Sequence, residues 1–330
     1  MHQGRFKQNH SGINSKLKII LPVLGLVTIL GILINKVDGA HFWKSLSNAN
    51  PNWLACAFGV AAIQPLLAAL RLKIYLKASR MEKSYERCLS AVLAATSLNA
   101  VLPARGGDFV KVTFLEDELK RLPAMVGVSI LERVFDILII CILSLIGSVL
   151  TENQVAIKLS LLAICAPLGA LLALNFTDRI PVIGKRLKSV YQSYQTAIQA
   201  PGLLLCAWGV ASLFWVNNLL VMFLLFKAVG ANLEFTTVAA TMPLAILVGI
   251  LPLSISGMGT RDGTMVFLLE KTTESGTVLA GTFLYTTAVY WFLAIIGLIF
   301  LGRESLRKIE NQARRNKEKL NPEQAETKKP

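Results

Sequence analysis

Long apolar runs, separated by short polar stretches, dominate the chain. A helix needs about 20 apolar residues to cross a bilayer, with about 17 as the lower limit. The pattern predicts six membrane spans: Ile19–Ile34, Trp53–Leu70, Met125–Leu150, Val155–Leu174, Gly202–Phe226 and Thr277–Leu301. The first run is marginal in length and resembles a signal-peptide core, but no Ala-x-Ala-like site follows it, so we expect an uncleaved anchor.

Two further apolar segments, Tyr85–Leu115 and Phe235–Leu269, are interrupted by clusters of proline and glycine. Each has room for two half-helices that enter and leave the membrane on the same side. Non-helical backbone persists at membrane depth only where protein or water satisfies its polar groups. We therefore predict an all-α polytopic membrane protein in which two re-entrant helical hairpins line a cavity.

Positive charge is divided unequally between the two sides that these spans define. With the amino terminus inside, 25 of the 34 Lys and Arg residues lie in cytoplasmic regions, 5 lie outside and 4 lie within membrane segments. This asymmetry follows the positive-inside rule, so we expect a multi-pass protein of the plasma (inner) membrane with both termini cytoplasmic. The predicted regions are a basic segment (1–18), a transmembrane domain (19–302) and a charged tail (303–330). We expect the tail to be solvated and partly disordered.

Composition excludes several other classes of function. Hydrophobic residues make up 54% of the chain and charged residues 16%, whereas soluble domains carry about 25% charged residues. The net charge of +14 fits attraction to anionic lipid rather than to nucleic acid, because no soluble basic module is present. The three histidines lie outside the apolar segments and the five cysteines form no CxxC pair, so we expect no metal and no other cofactor.

The two interrupted segments resemble each other. Each contains Leu-Pro, then glycines, an Arg and an Asp, and each ends in Glu eight residues after the Asp, over Leu102–Glu116 and Leu251–Glu270. Three predicted spans separate the copies, and this odd number predicts entry from opposite faces, as in the inverted repeats of many transporters. The alternative is chance recurrence of helix-breaking residues. The residues at the breaks are Asn99, Pro103, Gly106, Gly107, Pro252, Gly257 and Gly259.

Charged residues also occur where charge is energetically unfavourable. Glu132, Arg133 and Asp136 fall within one predicted span and cover one side of its helix, although each charge at a helix centre costs roughly 2.5–3.5 kcal/mol. They either form a self-neutralising cluster that locks helices together or line a translocation cavity.

A further Arg and Asp accompany each break: Arg105 with Asp108, and Arg261 with Asp262. Half-helix N-termini and Arg side chains both suit phosphate oxygens, so two facing sites would form one anion-binding chamber. The alternative is that each Arg pairs with its Asp and caps the half-helix.

At these motifs the chain resembles the transmembrane-region family of lysylphosphatidylglycerol synthases, the flippase-like part of the multiple peptide resistance factor. The resemblance covers about residues 15–305. Its matching residues are Asn99, Pro103 to Asp108, Glu132, Arg133, Asp136, Pro252 and Gly257 to Asp262. Asp262 differs from the Glu found in many relatives, and no soluble aminoacyl-transfer domain follows Leu301, which argues against synthase activity.

The resemblance implies a lipid translocase, a flippase or scramblase-like protein, whose partner is an anionic or isoprenoid-phosphate lipid. No phosphate-binding loop for a nucleotide occurs, so transport would be passive or gradient-coupled. The alternative is a membrane-embedded transferase, or an accessory subunit of a separate synthase or glycosyltransferase, in lipid-linked glycan or aminoacyl-lipid synthesis.

Overall fold

The computed structural model describes residues 39–100, 102, 106–115, 122–174, 191–250 and 258–320. The secondary structure of these residues is helical, and no β-strand occurs among them. In chain order the helices are α1 Gly39–Ser47, α2 Pro51–Ala61, α3 Gln64–Ala78, α4 Tyr85–Asn99, α5 Gly107–Leu115, α6 Leu122–Leu150, α7 Gln154–Leu174, α8 (described over 191–198), α9 Pro201–Ala228, α10 Phe235–Ile250, α11 Thr260–Leu269, α12 Ser275–Thr286 and α13 Leu293–Leu320. A π-helical turn, Thr287–Phe292, joins α12 to α13.

Five helical stretches of the described part are long and apolar enough to cross a membrane: Pro51–Ala78, Leu122–Leu150, Gln154–Ala173, Pro201–Ala228 and Ser275–Glu310. They coincide with five of the six predicted spans, and the sixth, Ile19–Ile34, lies outside the described residues. Large apolar side chains such as Leu162 and Leu205 are exposed on these helices, as expected of surfaces that face lipid. The chain is an all-α polytopic membrane protein, as predicted.

Each interrupted segment forms two short helices that pack against each other, α4 with α5 and α10 with α11. Helices α5 and α11 contain 9 and 10 residues. At 1.5 Å per residue each is about 15 Å long, half the hydrocarbon thickness of a bilayer. Gly107 allows the close approach of α5 to α4, because a Cβ there would lie 2.7 Å from the Asn99 amide oxygen and would also overlap the Ala95 carbonyl oxygen.

The internal repeat begins earlier in the chain than the sequence motif indicates, because α3 and α9 end in the same kind of turn. In each turn an N–H donates to the carbonyl five residues earlier, from Met81 to Leu76 at 2.8 Å and from Ala231 to Phe226 at 2.9 Å. The residue before the donor has a left-handed backbone in both copies: Arg80 at φ 57° and Gly230 at φ 78°. The repeated unit is therefore a long helix, this turn, a second helix, a break and a short helix, in α3–α5 and again in α9–α11.

The buried apolar residues form two clusters that follow this division. One joins α2 with α9–α12 and includes Met222, Phe226 and Tyr285. The other is built mainly on α3–α6 and includes Leu72 and Phe135. The space between the two clusters is where the two repeat copies meet.

Helix α13 continues beyond its apolar part to Leu320. The buried carboxylate of Glu304 accepts a hydrogen bond from the Ser90 hydroxyl at 2.7 Å, which fixes the start of this extension to α4. The first part of the predicted charged tail is therefore helical as far as Leu320, and its partial disorder stays a prediction. The last ten residues lie outside the described part of the chain.

Candidate functional site

A polar cavity of about 90 Å³ lies between the two apolar clusters, beside the break between α4 and α5. Its walls come from α3–α6 on one side and from α9, the π-helical turn and the start of α13 on the other. A cavity of this volume holds several water molecules. Six charged residues line it, three cations and three carboxylates: Arg71, Lys111, Arg133, Asp108, Glu132 and Asp136.

Arg71, on α3, joins the two carboxylates of α6. Its Nε and Nη2 donate to Glu132 Oε1 at 3.0 and 2.7 Å, and its Nη1 donates to Asp136 Oδ1 at 2.5 Å. The guanidinium lies 4.8 Å from the centre of the Phe214 ring, and Trp215 Nε1 donates to Asp136 at 3.2 Å. The three charged side chains are at most 6% exposed, so each depends on its partners for stabilisation.

Lys111 supplies a second cation to Glu132. Its Nζ donates to Glu132 Oε2 at 2.6 Å, so each carboxylate oxygen accepts from a positively charged group. Lys111 lies on α5, the short helix after the first break. One carboxylate on α6 therefore holds both α3 and α5 in place.

Arg133 pairs with Asp108, across the cavity wall from its own helix. Asp108 also accepts a hydrogen bond from Asn99 Nδ2 at 2.9 Å. Consecutive helix residues point about 100° apart, so Arg133 reaches Asp108 while Glu132 reaches Arg71 and Lys111. The printed ion pairs of Glu132, Arg133 and Asp136 thus run to partners on α3 and α5 rather than to one another, and these pairs join the three helices.

The Arg133–Asp108 pair is the most accessible charged pair of the cavity wall. The side chains of Arg133 and Asp108 are 19% and 25% exposed, whereas that of Lys111 is 7% exposed. These two groups are consequently the ones that an incoming polar molecule meets first.

Arg261 and Asp262 form a separate buried ion pair at the second break. Arg261 Nε and Nη2 donate to Asp262 Oδ1 at 2.8 and 2.5 Å, and Nη2 also donates to Thr286 Oγ1 at 2.6 Å. Asp262 Oδ2 accepts from the backbone N–H of Gly259, whose φ is 93°, and so caps the start of α11. The structure therefore has the second interpretation of this motif, in which Arg261 pairs with Asp262 and Asp262 caps the half-helix.

A layer of side chains separates Arg261 from the cavity. The guanidinium lies 4.9 Å from the Tyr285 ring centre and 5.9 Å from that of Tyr290, which lines the cavity. The Tyr285 hydroxyl donates to Oδ1 of Asn218 at 2.8 Å, and Asn218 lines the cavity as well. The predicted convergence of Arg261 and Asp262 with Asp108 and Arg133 in one chamber is therefore absent from the described wall.

Two polar side chains of the wall lack a hydrogen-bond partner among the described residues. They are Gln64, through Nε2, and Ser129, through Oγ, and their exposed fractions are 3% and 5%. A buried polar group without a partner costs about 1–3 kcal/mol. Both groups therefore suit a site that receives water or the polar part of a ligand.

Four of the predicted site and break residues lie outside the described residues: Pro103, Arg105, Pro252 and Gly257. Gly106 directly precedes α5, and Asn99 ends α4. Gln64, Arg71 and Lys111 were not predicted as site residues, and the predicted span Trp53–Leu70 ends one residue before Arg71, which lines the cavity. The spacing of Gln64, Ala68 and Arg71 places all three on one helix face, and this pattern was the available signal.

Comparison with known proteins identifies related membrane proteins. The sequence model of a family described as the lysylphosphatidylglycerol synthase TM region matches residues 19–297. Two UPF0104 membrane proteins of Methanothermobacter thermautotrophicus are similar to the chain: one is 21% identical over 315 residues, 84% of this chain and 93% of that protein, and the other is 20% identical over 321 residues, 85% and 92%. A UPF0104 membrane protein of Methanocaldococcus jannaschii is 23% identical over 235 residues, 65% of this chain and 98% of that protein.

Proposed function

Because the chain belongs to the lysylphosphatidylglycerol synthase TM-region family, we propose that it translocates a phosphate-bearing lipid across the plasma membrane. The carrying observation is the buried polar cavity between the two repeat copies, with its six charged residues and two unpartnered polar groups. Asp136 is the fifteenth of the 29 residues of α6, so this cavity lies at the depth where hydrocarbon is otherwise expected. An ionic network of this size exceeds what helix packing alone requires.

The cavity offers a headgroup the interactions that it loses on leaving water. A charge transferred alone into hydrocarbon is strongly disfavoured, while fixed charges and hydrogen-bond donors in a protein wall lower that penalty. Arg133 supplies the fork of donors that suits phosphate, and Gln64 and Ser129 add neutral polar contacts. The acyl or isoprenoid tails remain in lipid during the passage.

The repeat suggests how the cavity changes access. Three candidate spans separate α5 from α10, an odd number, which supports an inverted relation between α3–α5 and α9–α11. In transporters of this kind one repeat moves against the other around a site near the membrane midplane. With both termini cytoplasmic, as the charge distribution favours, the first break enters from the cytoplasm and the second from outside.

Transport in this proposal is passive or gradient-coupled, and the chain itself is not an enzyme. Its partner is an anionic or isoprenoid-phosphate lipid, which a separate synthase or glycosyltransferase would make or consume. A membrane-embedded transferase is the alternative, and it would leave a covalently altered lipid that chromatography detects.

The direct test is reconstitution into vesicles that contain a fluorescent phosphatidylglycerol labelled in both leaflets. Dithionite added outside quenches the outer leaflet only, so translocation appears as quenching beyond about half of the signal. We expect wild-type protein and Leu205→Ala, a change on the exposed surface of α9, to accelerate this quenching of the inner-leaflet lipid. Arg133→Ala should slow it. The same assay is run with a fluorescent isoprenoid phosphate. If quenching in wild-type vesicles equals that in protein-free vesicles for both lipids, translocation of these lipids is excluded.

A further inference from the structure

We propose a second phosphate-binding site in the turn between α3 and α4, outside the translocation cavity. A cavity of about 400 Å³ lies there, with walls from this turn, from the start of α6 and from α8. Its polar lining includes Ser79, Arg80, Glu82, Lys83, Gln192 and Thr196. The site is at the end of α3 opposite Gln64, and it is independent of the lipid that the protein translocates.

The backbone at Arg80 is the first feature of this turn that points to a ligand. Arg80 has a left-handed φ of 57°, while its counterpart in the second repeat copy, Gly230, has φ of 78°. Glycine adopts this conformation without strain, and a residue with a long side chain does not. Side chains held in strained backbone positions cluster at ligand-binding sites, because the surrounding structure retains the strain for function. The first repeat copy thus has an arginine at a position whose backbone conformation favours glycine.

A buried hydroxyl group without a partner is the second such feature. Ser79 is 8% exposed, lines this cavity beside Arg80, and its Oγ finds no hydrogen-bond partner within the described ranges. Arg80 Nη2 donates to Oε1 of Gln199 at 3.4 Å. This contact is long for a hydrogen bond, so the guanidinium retains donor capacity for a ligand.

The charge of the residues that line the cavity is the third such feature. Arg80 and Lys83 bring two cations, and Glu82 brings one carboxylate whose Oε1 lies 3.7 Å from the Lys77 ammonium. The net charge is positive, and a guanidinium, an ammonium and hydroxyls together match the oxygens of a phosphate group. Bound there, the group would fasten α3 to α6 and α8. Both a phospholipid headgroup and a soluble phosphate compound carry this chemistry.

The test uses the purified, delipidated full chain and the variant Arg80→Gly, which removes the guanidinium and relieves the backbone at once. Lys77→Gln is the matched control, since it removes a positive charge three residues away that does not line the cavity. Binding of inorganic phosphate is measured by calorimetry. Binding of phosphatidylglycerol, against phosphatidylcholine, is measured by native mass spectrometry. In at least one arm we expect Arg80→Gly to bind about tenfold more weakly, with Lys77→Gln close to wild type.

Without ligand, Arg80→Gly should unfold at or above the wild-type temperature, which separates lost binding from lost folding. Loss confined to the inorganic phosphate arm assigns a soluble phosphate compound, and loss confined to the phosphatidylglycerol arm assigns a headgroup. Loss in both arms assigns a site that accepts either source. The proposal is overturned if wild type binds neither probe, if Arg80→Gly binds both as wild type does, or if Lys77→Gln loses as much affinity. None of these readouts depends on translocation.

Discussion

Replacing Arg71 with Met tests whether one guanidinium holds the ionic network together. The substitution removes the cation that bonds both Glu132 and Asp136 and leaves a side chain of similar length. Glu132 retains Lys111, but Asp136 retains only the Trp215 hydrogen bond among its described contacts. Removing one partner from a buried ion pair costs about 3–5 kcal/mol, because the other charge remains buried without compensation.

A second substitution distinguishes the lost pair from lost packing. Asp136→Asn in the Arg71→Met background removes the uncompensated charge while keeping the shape and a group that accepts from Trp215. The double variant should therefore recover about 1–3 kcal/mol relative to Arg71→Met alone. Lys77→Met, on an exposed part of the same helix, should stay within about 0.5 kcal/mol of wild type.

The assay is thermal unfolding of the purified protein in lipid nanodiscs, followed by tryptophan fluorescence. We expect the order wild type, double variant, Arg71→Met, from most to least stable. If Arg71→Met unfolds at the same temperature as Lys77→Met, the buried network does not stabilise the fold as argued. The same conclusion follows if the double variant is less stable than Arg71→Met alone.

Three further substitutions separate stability from transport. Gln64→Leu should leave the unfolding temperature unchanged or raise it, because it removes a buried amide nitrogen without a described partner. It should nevertheless slow lipid transfer in the dithionite assay, and unchanged transfer would exclude Gln64 from the site. Arg133→Lys should fold normally but transfer lipid more slowly than wild type, because Lys keeps the charge and loses the fork of donors, and Arg133→Ala should be slower still. Equal transfer rates for Arg133→Lys and wild type would show that only charge matters. Gly297→Leu should lose about 3 kcal/mol or more of stability, or fail to fold, because any Cβ there overlaps the Leu93 carbonyl oxygen of α4. Gly169 has open space around it, so Gly169→Leu should fold normally; size-exclusion chromatography of both variants makes the comparison.

Hydropathy was sufficient to predict the parts of the fold that depend on composition and chain order. Span lengths and the breaks after Asn99 and before Gly259 follow from local sequence, and the described helices have them. The pairing of Arg71 with Glu132 could not be predicted, because it joins residues 61 positions apart through tertiary packing. Hydropathy instead ended the predicted span at Leu70, one residue before Arg71.

The matching turns of the repeat were also hidden in the sequence. Arg80 and Gly230 differ in chemistry, and only their shared left-handed backbone reveals that they occupy equivalent positions. The Arg261–Asp262 motif had two interpretations at the sequence level because both use the same residue types. The distances to Thr286 and Gly259 decide between them in favour of capping.

The most direct test of the central claim is to locate the headgroup during transfer. A phosphatidylglycerol with a photoreactive headgroup, reconstituted with the full chain and illuminated, labels the residues that the headgroup contacts, and peptide mass spectrometry maps them. We predict cross-links on the cavity-lining faces of α3 and α6, at positions that include Gln64 and Ser129, and their loss in Arg133→Ala. Labelling confined to outward-facing positions such as Leu162 and Leu205, with none in the cavity, would contradict it.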